Sequence, residues 1–394
     1  MKNQFFIFFL VLIQFSCATT QAQTENTILA DKVVTFIVKD LPKNHNFKDE
    51  VFISGDFEGW TGGQELFKLK KVKNTYLINI PKDKETISYK FTKGNWGNVE
   101  CKLDGNPIDN RIYSFNNTKD TVLVSILNWN DGQPQNKPST ASENVHIFSE
   151  EFFIPQLNRK RKISVYLPPN YETTKSHYPV LYIQDGQNVY DVSTSYSGEW
   201  EVDETLNTLH QETGFGLIVV AINHGNEKRI NEYSAWDNVK YGKGEGEQYL
   251  DFIINTLKPE IDKAFRTKSD AEHTAIMGSS LGGLFSFYAT MSKPEIFGKA
   301  GVFSPSFWFA NESFEFTKSR ANLKENRMYF LTGGKESDNM VENARNMVSL
   351  MKENGFNSEN IHEKTVANGI HSESFWKSEF KEAITWLFNL NNNK

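Results

Sequence analysis

The sequence predicts a chain of two parts, a small all-β sandwich followed by an α/β domain built on a mostly parallel sheet. Three observations predict it. Residues 33–129 carry period-two runs punctuated by turn residues. Residues 130–143 are polar and nearly free of apolar side chains, as a linker would be. Beyond them, apolar β-rich runs alternate with helical patterns to the end of the chain, the signature of an α/β sheet covered on both faces.

The sandwich strands are expected at Val33–Val38, Val51–Ser54, Thr75–Ile80, Ile87–Phe91 and Thr121–Leu127. In the second part, Ile163–Leu167, Val180–Ile183 and Leu217–Ile222 read as buried strands. Leu250, Ile253, Ile254, Leu257 and Ile261 share one helical face. Strands follow at Thr274–Met277, Ala300–Ser304, Met328–Thr332 and Ile361–Val366. An amphipathic helix is expected from Leu281 to Met291, and a last helix around Phe375–Asn389. The predicted domains are therefore a sandwich over residues 30–129, a linker over 130–143 and the α/β domain over 144–394.

Composition narrows the function. The 394 residues are 38% hydrophobic and 23% charged, which excludes both a disordered chain and a membrane bundle. A net charge of -6 argues against nucleic acid or an anionic membrane as the main partner. Two cysteines exclude a disulfide scaffold and a cysteine-built zinc site. No H-E-x-x-H, glycine-rich phosphate loop or aspartate-rich calcium loop is present, so no metal or other cofactor is implied. Lys2 precedes the apolar run Phe5–Ile13, too short to span a bilayer and suited to a signal peptide. Cleavage after Ala22 would give a periplasmic or secreted product. The competing reading ends a lipobox at Ser16-Cys17 and anchors an outer-membrane lipoprotein through Cys17.

Gly278-Ser279-Ser280-Leu281-Gly282 fits G-x-S-x-G between an expected strand and an expected helix. The chemistry needs glycines there because the serine backbone is strained and the helix packs closely on the strand. Ser280 is then a nucleophile that needs a base and an orienting acid later in the chain. His371 lies in a loop after the last strand and is the base, whereas His362 lies within that strand and reads as structural. The acid should follow Met328–Thr332, where Glu336 and Asp338 are both available. Trp200, Trp236, Trp308 and Trp376 are candidates for lining an acyl or sugar site, and Arg229 with Glu232 reads as a structural ion pair.

Tyr178-Pro-Val-Leu-Tyr-Ile-Gln-Asp185-Gly186-Gln187-Asn188, Trp200-Glu-Val-Asp203, Gly278-Ser-Ser-Leu-Gly-Gly283, Gly333-Gly-Lys-Glu336 and Gly369-Ile-His-Ser-Glu-Ser-Phe-Trp376 stand in register. Together they resemble the family that holds esterase D, siderophore esterases of the enterochelin type, feruloyl and acetylxylan esterases and the antigen 85 mycolyltransferases. The resemblance covers nearly all of residues 145–390. It implies an α/β-hydrolase fold and serine carboxylesterase activity, with Glu336 as the acid. It also implies an oxyanion hole made by the N–H groups of Gln187 and Leu281. The implied substrate is a carbohydrate-linked acyl ester or, alternatively, a siderophore trilactone. A glucan-binding scaffold without catalysis is the reading from a different class.

Val51-Phe-Ile-Ser-Gly-Asp-Phe-Glu-Gly-Trp60, Tyr89-Lys-Phe91, Gly94-Asn-Trp96 and Asn110-Arg-Ile112 resemble the starch- and glycogen-binding modules of the CBM20/CBM48 type. That resemblance implies that Trp60 and Trp96 stack on glucose rings of an α-glucan while Lys90 and Asn110 bond its hydroxyls.

Overall fold

The computed structural model describes residues 33–390, apart from 44, 83–85, 117–120, 131–137, 196, 321–325 and 337. The expected signal peptide, with Cys17, lies outside the described residues, as does most of the expected linker.

The first part is a β-sandwich. One sheet pairs β1 (Val33–Asp40) with β4 (Thr75–Pro81) and β8 (Thr121–Ser125), and β3 (Lys70–Val72) extends it beyond β4. The facing sheet is β2 (Phe52–Gly55), β5 (Thr86–Thr92) and β7 (Arg111–Ser114), antiparallel throughout, and β6 (Glu100–Cys101) forms a short antiparallel pair with β9 (Asn128–Trp129). Alternation sends Val34, Phe36 and Val38 of β1 and Ile87, Tyr89 and Phe91 of β5 into one shared core. On β5 the other face is also buried, so Ser88, Lys90 and Thr92 are covered as well. A half-open sandwich face should be polar and wet; this one is roofed.

The second part is an eight-stranded sheet. Its strands are β10 (Val145–Ile154), β11 (Arg159–Tyr166), β12 (Val180–Gln184), β13 (Ile218–Ile222), β14 (Thr274–Ser279), β15 (Lys299–Phe303), β16 (Arg327–Gly333) and β17 (Ile361–Val366). The order β10-β11-β13-β12-β14-β15-β16-β17 is antiparallel over the first three and parallel from β13 onward. Separate apolar cores cover the two faces, which is why the central strands are continuous runs of Val, Ile, Leu and Tyr.

One expectation needs correcting. The helix after the elbow (α1, Leu281–Ser292) is not amphipathic: ten of its twelve residues, among them Leu284, Phe285 and Phe287, are buried. A helix apolar all round is a core helix, and its N-terminus arrives at the middle of the sheet's carboxyl edge.

The two parts touch. Lys240 Nζ and Tyr241 Oη both donate to the carbonyl of Phe57, at 2.8 and 3.0 Å. Asn110 Nδ2 donates to the carbonyl of His371 at 2.6 Å. After residue 137 the chain is tied down on the α/β part, with Ser139 bonded to Asp191 and Ser142 to Asp203.

Candidate active site

The turn from β14 into α1 forces Ser280 into φ 59°, ψ -122°, a strained conformation for a residue with a Cβ. Packing over-determines it. Ser280 N–H donates to the carbonyl of Phe303 at 2.9 Å, and its own carbonyl accepts from Ser306 N–H at 3.1 Å. A Cβ on Gly278 would stand 2.7 Å from the backbone of Gly282, so the strand and helix could not approach as they do. The strain places Ser280 in the lining of an open pocket.

His371 reaches the same pocket from the loop after β17. Its Nδ1 lies 3.3 Å from Oε1 of Glu336, a carboxylate whose side chain is fully buried. Glu336 is itself held. Trp376 Nε1–H donates to Ser304 Oγ at 2.9 Å, and because indole can only donate, the Ser304 hydroxyl proton is directed to Glu336 Oε1. Asp338, the alternative acid, starts the helix Asp338–Glu353, and its side chain lies outside the described set. Ser280 Oγ is 3.2 Å from Ser306 Oγ, and no hydrogen bond joins it to His371 among the described residues. Such bonds are often long in a free enzyme and shorten with substrate.

Leu281 is the first residue of α1, and Gln187 lies in the turn Gly186–Asn188 after β12. Neither backbone N–H has a protein partner among the described residues. Gln187 also fixes its surroundings, because its Oε1 accepts the N–H of His224.

Asp185, His224 and Arg229 build a polar wall of the pocket that has no signature in the sequence. Asp185 is left-handed at φ 55°. Arg229 pairs with both its carboxylate oxygens, at 2.7 and 2.8 Å, and not with Glu232 as the spacing suggested. Glu232 instead binds Arg159 and Arg161. Burial pushes the Asp185 carboxyl up, but the guanidinium more than offsets it and holds the group below its ordinary value. Burial lowers His224 to about 4, leaving it a neutral ring. Only the pairing of these residues in space reveals the wall; nothing in their spacing does.

Among the tryptophans, Trp200 and Trp376 line the pocket, while Trp236 packs on Tyr288 and Phe316, and Trp308 against Phe309. His362 stacks on Tyr329 at 4.6 Å and is structural, as expected.

The residues expected to form a separate sugar platform are elsewhere than expected. Trp60, Trp96 and Asn110 line this same pocket, facing Ser280 and His371 from the sandwich side. The Trp60 indole lies parallel to the His371 ring, 6° between planes and 6.4 Å between centroids. Lys90 corrects the expectation most plainly. It is 2% exposed, on the roofed face of β5, and cannot reach a glucan on an open surface. Burial pushes its ammonium below the ordinary value, and Glu373 is the main charge opposing that shift.

Trp60 sits at φ 60°, and a buried carboxylate maintains that turn. Glu58 accepts from the N–H groups of Gly55 and Thr61 and from the hydroxyls of Ser54 and Thr61. Trp96 Nε1 then donates to the Trp60 carbonyl at 2.8 Å.

Residues 154–387 match the family described as "Putative esterase". The chain belongs to that esterase family. Curated relatives are distant. A Bacillus subtilis (strain 168) protein, YbbA, is 25% identical over 244 residues, 59% of this chain and 94% of that one. An endo-1,4-beta-xylanase/feruloyl esterase of Xylanibacter ruminicola is 26% identical over 60% of this chain, which spans 30% of that protein. Among solved structures, the enterochelin esterase of Shigella flexneri shares the fold over 91% of this chain and 93% of its own, with TM-score 0.53 and 13% identity. An IroE-like serine hydrolase from Shewanella oneidensis aligns over 62% of this chain and 80% of its own, with TM-score 0.52 and 19% identity. The part matched by the family is therefore an α/β-hydrolase sheet, and this chain carries a β-rich part in front of it.

Proposed function

We propose that this esterase is an exported serine carboxylesterase acting through Ser280, His371 and Glu336. The observation that carries the reading is the strained Ser280 in one pocket with an imidazole already paired to a buried carboxylate. His371 takes the Ser280 proton as Oγ attacks the ester carbonyl, then delivers it to the leaving alcohol. Glu336 fixes the tautomer that leaves Nε2 free to do so. The N–H groups of Gln187 and Leu281 receive the oxyanion, helped by the N-terminus of α1. Water then hydrolyses the acyl-enzyme by the same route. Export through the N-terminal signal peptide, with or without a lipid on Cys17, is part of the same reading.

The substrate we favour is a carbohydrate-linked acyl ester with a flat acyl group. The half-buried indoles of Trp60 and Trp96, in the lining of the nucleophile's pocket, suit a planar ring, and the xylanase/feruloyl esterase relative points the same way. A siderophore ester is the second reading, favoured by the likeness to an enterochelin esterase over both parts of the chain. An α-glucan bound by the sandwich is no longer favoured, since its proposed contacts are spent on the pocket and the domain contact.

A fluorophosphonate probe tests the mechanism. It should label the purified protein once, on the peptide containing Ser280, and Ser280→Ala should lose both labelling and at least about 10⁴-fold of p-nitrophenyl acetate hydrolysis. Activity retained in that variant would sink the assignment. Rates on methyl ferulate against a catecholate trilactone separate the two substrate readings.

A further inference from the structure

The base of the proposed triad sits at a thinly held point of its own domain. Its loop is tied on either side. The Gly369 carbonyl accepts from Lys335 N–H at 2.9 Å, and the Ser372 carbonyl accepts from the N–H groups of Phe375 and Trp376, both at 3.1 Å. Between those ties, His371 makes no backbone–backbone hydrogen bond among the described residues. The α/β domain holds its ring instead. Nδ1 faces Glu336 Oε1 at 3.3 Å, and the Trp376 indole stands nearly perpendicular to the imidazole, 5.0 Å between centroids. A charge-assisted hydrogen bond at full strength spans roughly 2.7–2.9 Å, so the carboxylate alone leaves the ring room to move.

The main chain of His371 is held from the other domain. Asn110 Nδ2 donates to its carbonyl at 2.6 Å, and among the described residues no other hydrogen bond reaches that backbone. A carbonyl can only accept, so the Asn110 amide must present its N–H there. Asn110 also has firm footing. It directly precedes β7, whose first residue, Arg111, binds the buried carboxylate of Glu100 through Nε and Nη2 at 2.9 and 2.7 Å. Arg111 is in turn paired in register with Tyr89 on β5.

We propose that Asn110 is a positioning residue for catalysis, holding the His371 backbone so that the imidazole stays within reach of Ser280 and Glu336 at once. The proposal rests on the triad reading above. During the reaction His371 must bond to both partners, yet among the described residues no hydrogen bond joins it to Ser280 in the free protein. Any loop conformation that carries the ring away from that double contact is unproductive, and a displacement of about 1 Å can cost about 10²-fold in rate. A hydrogen bond to the carbonyl removes such conformations without touching a reacting atom. Asn110 therefore serves the proton transfer, whereas Trp60 and Trp96 of the same domain offer the pocket apolar surface. Because Asn110 also lines the pocket, direct contact with the substrate is the rival role.

The test uses the purified full chain and two esters, p-nitrophenyl acetate and methyl ferulate. Asn110→Ala and Asn110→Asp both remove the donor, and the second keeps the side chain's shape. Each should lower kcat about tenfold or more on both esters alike, with KM within about twofold of the parent's. Fluorophosphonate labelling of Ser280 should slow by a similar factor. Asn110→Asp decides the matter should Asn110→Ala fail to fold. Tyr241→Phe is the control, since it removes a bond to the Phe57 carbonyl and loosens the domain contact away from His371. Its kcat should match the parent's. The proposal is overturned if the Asn110 variants keep the parental kcat, or if their only loss is a raised KM for methyl ferulate. It is equally overturned if Tyr241→Phe loses as much kcat as they do. Those outcomes leave the triad standing. A parent that takes no label at Ser280, or a Ser280→Ala variant that stays active, removes the triad reading and this proposal with it.

Discussion

The pocket has two halves, and they are built by different means. On the hydrolase side, Ser280 is held at positive φ by backbone bonds to β15 and the loop that follows it, and by glycines that let a helix close on a strand. On the sandwich side, Trp60 is held at almost the same φ by its N–H bond to the Gly55 carbonyl, by the Trp96 indole on its own carbonyl and by the Glu58 carboxylate that gathers the turn. The first device is distributed over the sheet and stays in place unless the sheet fails. The second leans on two side chains, Glu58 and Trp96, beside one local backbone bond. On the mechanism proposed above, chemistry rests on the rigid half, and fit to the substrate on the half whose turn is held mainly by side chains.

The sharpest way to break this division is to change each half and read turnover and selectivity separately. Glu336→Gln on the hydrolase side should lower kcat on every ester alike, by about 10²- to 10⁴-fold, because only the carboxylate fixes the His371 tautomer. A loss confined to bulky esters would move the acid role elsewhere. On the sandwich side, Trp60→Ala should lower kcat/KM for an aryl ester by about tenfold, with little change for an acetyl ester. Glu58→Gln should reproduce part of that selectivity loss without touching the indole. Equal losses on both esters in either variant would mean that the sandwich supports the hydrolase and selects nothing.

The smallest effect concerns pH and the polar wall. His224 has a folded pKa of about 4 against an ordinary 6.5, so the unfolded chain takes up its proton first as pH falls. Its contribution to stability is therefore intact above about pH 6.5 and declines between there and about pH 4. His224→Gln should remove that part of the decline in denaturant melts across this window. A variant that tracks the parent throughout would show that the ring titrates freely.

How legible the molecule is from its sequence follows the same division. The α/β sheet could be read because fully buried strands leave unbroken apolar runs, and the elbow because its strain demands glycine at fixed offsets. His371 could be placed because only one histidine falls in a loop after the last strand. Trp60, Trp96 and Asn110 were visible as a set, but their partner was not. A tryptophan awaiting a sugar and one facing an imidazole across a domain contact look alike in one dimension. Lys90 misled for a related reason, since the alternation that points it away from one core says nothing about a second body covering that face. The Asp185–Arg229 pair was hidden because its members are 44 residues apart and meet only when the sheet brings two loop regions side by side.

The bond from Asn110 to the carbonyl of His371 spans 261 residues of sequence. It has a consequence for descent. The front domain is joined to the rest by a short stretch of chain, yet it supplies one wall of the pocket. Recombination at that seam, replacing residues 33–129 with another sandwich, would re-cut the acceptance of the site in one step while leaving Ser280 and Glu336 in place, provided the new sandwich also supports the His371 loop. A lineage carrying this arrangement can acquire new substrates by exchanging a domain, where a single-domain relative must alter its loops one residue at a time.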